Sequence, residues 1–181
     1  MVLLLTFFML TATFVKEEPV KVNAPSSISK VMIPETNLLT IFVEKTGKVY
    51  LCMDNPGTQQ AMAEEMVKRE KINLDDAQLK ELSQVPSIGC AEDVVGSWLA
   101  LGNRRNDYLN SAEGGIPCDS LRDELKDWVA AAREANGENM HIAIKADQTT
   151  PYANIKRVMD SLRSIDESRY NLITSLKGEE E

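Results

Sequence analysis

The sequence predicts an α+β fold: a small mixed β-sheet with helices packed on one face, preceded by an incomplete single transmembrane helix. Three observations carry this reading. Met1 to Val15 carries no charge, and its only polar side chains are Thr6, Thr11 and Thr13. "LLTIFVEKTGKVYLCM" contains two β-rich runs joined by Lys45-Thr46-Gly47. The C-terminal third reads as helix, strand, helix, strand, with apolar periods that switch between 3.6 and 2.

Residues 1–15 form the first segment. A 15-residue helix reaches roughly 22 Å, whereas a hydrocarbon core is about 30 Å thick. A signal peptide begins with basic residues and ends in a small-x-small cleavage site. Here the chain begins Met1-Val2-Leu3, and only Ala12 is suitably small. Leu3-Leu4-Leu5 and Phe7-Phe8 are apolar all round, unlike the one-sided helix of a globular surface. The reading is therefore a partial transmembrane helix, with a signal peptide as the alternative. Residues 16–37 follow as a tether, because Pro19, Pro25, Pro34 and Ser26-Ser27 oppose helix.

The runs Leu38–Glu44 and Lys48–Met53 predict a hairpin, with Gly47 taking the positive φ of a tight turn. Asn55-Pro56-Gly57 ends the second strand. A surface helix from about Gln59 to Arg69 is expected, with Met62 and Met66 buried. "NLDDAQLKEL" predicts a short helix capped by Asn73, with Leu74, Ala77 and Leu82 as a weak apolar face. Residues 83–117 are broken by Pro86, Gly89, Gly96, Gly102 and Gly114-Gly115. Within them Trp98 is expected in a core or interface, and Arg104-Arg105 in a solvated loop.

From Cys118 a helix is expected, capped by Asp119 or Ser120 and ended by Gly137. Its predicted stripe is Leu121, Leu125, Trp128, Val129, Ala132 and Ala135. "HIAIKA" is a strand. The next helix has Thr150 as cap and Pro151 in its first turn, and a stripe of Tyr152, Ile155, Met159 and Leu162. "RYNLITSL" is the last strand, and 177–181 is an acidic tail. The span from the Ile142 strand to the Leu172 strand suits a right-handed crossover between parallel strands.

The net charge of −8 argues against a nucleic-acid partner. Cys52, Cys90 and Cys118 lack paired CxxC spacing and read as buried or free thiols rather than a metal site. His141, the single histidine, opens an apolar strand and reads as structural. No GxSxG, phosphate-cradling glycine loop or HExxH occurs, so no enzyme, metal or cofactor is predicted.

One stretch is more specific: "IAIKADQTTPYANIKRVMDSLRSIDESRYNLITS". A strand ending in Ala146-Asp147, a Pro151-Tyr152 helix start, Val158-Met159-Asp160 and a strand ending near Thr174 follow in order. Behind the leucine-rich opening, this resembles the ExbD/TolR family of biopolymer-transport proteins. The resemblance is good at both ends and poor from about 55 to 117, which reads as an insertion into a domain spanning 38–176. It implies a single-pass protein of the bacterial inner membrane with its C-terminal domain in the periplasm. It also implies a homodimer working beside an ExbB/TolQ-like channel subunit. Proton-motive force would then energise a TonB/TolA-like protein for transport at the outer membrane. A charge in hydrocarbon is costly unless neutralised, which suits a membrane aspartate to carrying protons. No aspartate lies within Met1–Val15, so that role falls on no residue of this sequence. Asp147 and Tyr152 match the family's motif in the domain and are the candidate partner-binding residues. The competing reading has Asp147 organising the turn and Tyr152 packing under the helix. The alternative function is a secreted or tethered extracytoplasmic binding module.

Overall fold

A computed structural model describes residues 2–12 and 37–174. The proposed tether, apart from Asn37, and the acidic tail lie outside the described residues. Helix α1 (Val2–Ala12) occupies the apolar opening, and Thr6 Oγ1 donates back to the Val2 carbonyl at 2.6 Å. Among the described residues, no helix is long and apolar enough to cross a membrane.

The sheet has four strands: β1 (Leu38–Val43), β2 (Val49–Met53), β3 (His141–Ala146) and β4 (Tyr170–Thr174). Their order is β2-β1-β3-β4. β1 and β2 form the predicted antiparallel hairpin, with Leu39 opposite Met53 and Val43 opposite Val49. Gly47 makes the turn at φ 91°. β1 pairs parallel with β3, and β3 pairs parallel with β4. The β3-to-β4 connection is therefore the expected crossover between parallel strands.

Side chains alternate across a strand, so register assigns the faces. Leu39, Ile41 and Val43 of β1 share a face with Leu51 of β2 and with Ile142 and Ile144 of β3. All are buried in one hydrophobic cluster. Three long helices bury their stripes in that cluster: α2 (Pro56–Lys68), α6 (Leu125–Asn136) and α7 (Tyr152–Ser164). Met62 and Met66 of α2 are fully buried, as are Trp128 and Val129 of α6 and Leu162 of α7.

The middle of the chain is more ordered than its sequence suggests. It contains α3 (Asp76–Gln84), α4 (Val95–Leu99) and α5 (Arg105–Asn110), with short 3-10 turns at Glu92–Val94 and Gly102–Arg104. This segment seals the outer edge of β2. Leu51 N–H donates to Ile88 O at 2.8 Å, Ile88 N–H donates to Leu51 O at 2.7 Å, and Ile116 N–H donates to Val49 O at 2.7 Å. It also wraps onto the second face of the sheet. Tyr50, which points away from Leu51, is 1 % exposed, and its hydroxyl donates to Leu109 O at 3.0 Å. The face opposite the long helices is thus covered at the β2 end rather than left open.

Several local expectations are corrected. α2 begins at Pro56, because Asn55 Oδ1 accepts from Gly57 N–H and Pro56 fits the first turn. α3 is capped by Asp75, not Asn73: Asp75 and Gln78 form a reciprocal capping box. Leu79 is buried there and Ala77 is exposed. α6 starts at Leu125, because Asp119 Oδ1 accepts from Leu121 and Arg122 N–H and makes a turn instead of a cap. Leu121 is consequently 97 % exposed rather than part of the stripe. Thr150 does not cap α7; its hydroxyl lies 3.4 Å from Val43 O. Arg104 is exposed as expected, but Arg105 is not freely solvated. Arg105 donates to Leu99 O at 2.8 Å, pairs with Glu81 and lies 5.9 Å from the centre of the Trp98 ring.

Gly89 marks how closely the middle segment meets the sheet. A Cβ there would lie 2.3 Å from the Tyr50 ring and 2.7 Å from the Leu109 side chain. Gly89→Ala is expected to lower unfolding stability by about 1–3 kcal/mol, measured by urea denaturation. Tyr50→Leu should recover part of that loss by removing the ring, and an unaltered midpoint for Gly89→Ala would contradict the contact.

Candidate functional site

Asp147 and Tyr152 flank the turn that carries β3 into α7. Asp147 Oδ1 accepts from Thr149 N–H at 3.0 Å and from Thr149 Oγ1 at 3.2 Å. Thr150 N–H closes the turn on Asp147 O at 2.9 Å. Asp147 therefore organises its own turn, as an aspartate at such a position does. Tyr152 is different. It is 67 % exposed, and Val158 takes a place in the buried stripe of α7. The expectation that Tyr152 packs under the helix is overturned, and its ring is presented outward at the start of α7.

This turn meets the hairpin at the C-terminal ends of the parallel strands. Asn154 Nδ2 donates to Lys45 O at 3.3 Å, and its side chain lies against Gly47. Next to it runs β4, whose only neighbour among the described residues is β3. The strand reads Tyr170-Asn171-Leu172-Ile173-Thr174, with no charge and with Leu172 45 % exposed. An outward Tyr152 and an unpaired, uncharged strand edge suit protein docking. An unpaired edge offers backbone donors and acceptors to another strand.

The described residues also contain an acidic junction that sequence reasoning missed. Glu92 N–H donates to Glu124 Oε2 at 2.6 Å, and Glu124 is 6 % exposed. Arg122 pairs with Glu124 and reaches Asp93 Oδ1 at 2.9 Å. Lys71 Nζ donates to Asp127 Oδ2 at 3.1 Å. The Glu92 Oε1 atom is buried without a hydrogen-bond partner. Burial, then the charges of Glu124 and Asp127, raise its carboxyl from 4.5 to about 7, against the opposing pull of Lys71 and Arg122. A cavity of about 510 Å³ adjoins it. The pair lies 32 positions apart, with no motif to join it.

Among the described residues, none of the three cysteines forms a disulfide. Burial pushes Cys90 and Cys118 up to about 12, which leaves both weak nucleophiles at neutral pH. His141 is exposed at the head of β3, where its N–H donates to Asn37 O at 2.9 Å.

Glu92 sets a pH dependence with a definite sign. Its folded value lies above its unfolded one, so the folded state holds the proton more tightly. The contribution of this group to stability is fully present below about pH 4.5 and is lost as pH rises through about 7. Allowing for the group's partial exposure, the loss between pH 5 and pH 8 is expected to be about 1 kcal/mol. Urea unfolding across that range should show a steeper decline for the natural chain than for Glu92→Gln. Parallel curves would refute the assignment.

Neither a curated protein nor a solved structure was found to match the chain. The family described as biopolymer transport protein ExbD/TolR matches residues 1–177. A match along that span, together with the strand, Asp147 turn, α7 and β4 in the anticipated order, means that this chain belongs to the ExbD/TolR family of biopolymer-transport proteins.

Proposed function

We propose that this chain is a subunit of a proton-motive-force-driven motor in the bacterial inner membrane, of the ExbB-ExbD or TolQ-TolR type. It works beside an ExbB/TolQ-like channel subunit and energises a TonB/TolA-like protein for transport at the outer membrane. Residues 1–15 contribute to a single membrane anchor, 16–37 act as a tether, and 38–176 form the periplasmic domain. The observation that carries the reading is the family match over residues 1–177. The surface supports it: β4 leaves its outer edge unpaired among the described residues, and Tyr152 stands outward at the start of α7. The chain pairs with a second copy through that edge, and Asp147 and Tyr152 serve the partner contact. Force passed through a strand edge is shared over several backbone hydrogen bonds, which suits a mechanical coupling.

Two measurements test this. The chain, expressed in membranes with an ExbB/TolQ-like protein, should co-purify with that protein. Recovery of the chain alone would remove the motor reading. Leu172→Lys should weaken self-association roughly tenfold by placing a charge on the β4 edge, while changing unfolding stability by no more than about 0.5 kcal/mol. Sedimentation velocity reads the first effect and urea denaturation the second. A dimer unaffected by the lysine would rule out the edge.

A further inference from the structure

A second cavity, of about 240 Å³, lies in the middle segment, away from β4 and the Asp147 turn. Val85, Pro86 and Leu109 give it apolar wall, and Ser87, Trp98 and Arg105 give it polar groups. Trp98 is 2 % exposed and Ser87 is 7 % exposed. Trp98 Nε1 and Ser87 Oγ are both buried without a hydrogen-bond partner. Buried polar groups are nearly always satisfied, and two residues with an orphaned polar atom in the lining of one cavity are unusual. An indole N–H only donates, and a guanidinium only donates. Arg105 uses Nε and Nη2 on Leu99 O and Glu81, which leaves Nη1 outside those contacts. Asn103 and Asn106 add carboxamide donors, and no acidic side chain lines the cavity.

We infer that this cavity is a binding site for a small carboxylate ligand with an apolar body, held by Ser87, Trp98 and Arg105. The carboxylate accepts from the indole, the hydroxyl and the guanidinium, and the body packs against Val85, Pro86 and Leu109. Its volume admits a free acid or the terminal residue of a peptide, and both present the same chemistry. Glu81 competes for Arg105 from outside, with its side chain 47 % exposed. This inference is independent of the motor reading, since neither the β4 edge nor a membrane partner enters it.

The test is a titration of the full ¹⁵N-labelled chain in detergent micelles with N-acetyl-leucine. The tripeptide Ala-Ala-Leu is run in parallel to separate a free acid from a peptide end. The chain has two tryptophans, so two indole N–H signals report. Trp98→Phe assigns them. Trp128 Nε1 is equally buried and unpartnered but lines none of these cavities, so it serves as an internal control. At least one acid should shift the Trp98 signal in a saturable way and leave that of Trp128 in place. N-acetyl-leucinamide should not. Arg105→Gln should weaken the binding roughly tenfold, as expected for losing a charged hydrogen bond. Glu81→Gln, at an exposed position that folding tolerates, should tighten it several-fold by freeing the guanidinium. A Trp98 signal unmoved by both acids, equal shifts from acid and amide, or weaker binding in Glu81→Gln would each overturn the assignment. So would a water cross-peak on the Trp98 indole that persists at saturating acid, because the cavity would then be a hydrated void.

Discussion

The parallel pairing of β1 with β3 is the constraint on which the fold rests. It joins residues 38–43 to residues 141–146, so everything between them must leave the sheet and return to it. Closing so long a loop is opposed by chain entropy. The opposing gain is the shared buried face of Leu39, Ile41, Val43, Ile142, Ile144 and Ala146. α2 and α6, one soon after β2 and the other soon before β3, pack against each other over this face. A polar residue at Ile41 or Ile144 would uncouple the two halves of the chain, because each sits at the centre of the ladder.

The middle segment is fastened to this frame by polar contacts as much as by burial. Gln59, 1 % exposed on α2, donates to Leu82 O at 2.6 Å and Val85 O at 3.0 Å, and so ties off the end of α3. Lys48 Nζ reaches Ser111 O at 2.6 Å and Leu109 O at 3.4 Å, placing a cation at the C-terminal end of α5. The Glu92–Glu124 junction works the other way, because it holds two carboxyls close with one oxygen unsatisfied. The segment is thus held at the start of α6 through a carboxyl whose raised value makes this attachment sensitive to protons.

What the sequence made legible follows from length and locality. The hairpin, the crossover and the order of elements after Asn136 depend on short-range signals: Gly47, alternating apolar residues and a 3.6-residue stripe. α4 and α5, of five and six residues, are too short to show a helical period. The start of α6 was obscured because Asp119 serves equally well as a cap or as a turn, and only the Cys118–Asp123 bridge decides between them. Tyr152 sits at a stripe position by spacing, yet the stripe at that end turns outward once Pro151 fixes the entry to the helix. In the candidate site, Asp147 was readable from its motif. The β4 edge was not, since strand order is a property of the closed sheet. Nor were Glu92 with Glu124 or Ser87 with Trp98, whose proximity arises only when distant segments fold together.

The sealed edge of β2 has a consequence for stoichiometry. A sheet with two open margins can add copies at both, and nothing in its geometry halts the growth of a filament. Here Ile88 and Ile116 already occupy the backbone of Leu51 and Val49. Only the β4 margin is left among the described residues. Were two copies to pair there, each would consume the other's last free ladder, and the assembly would terminate at two without a separate stop signal.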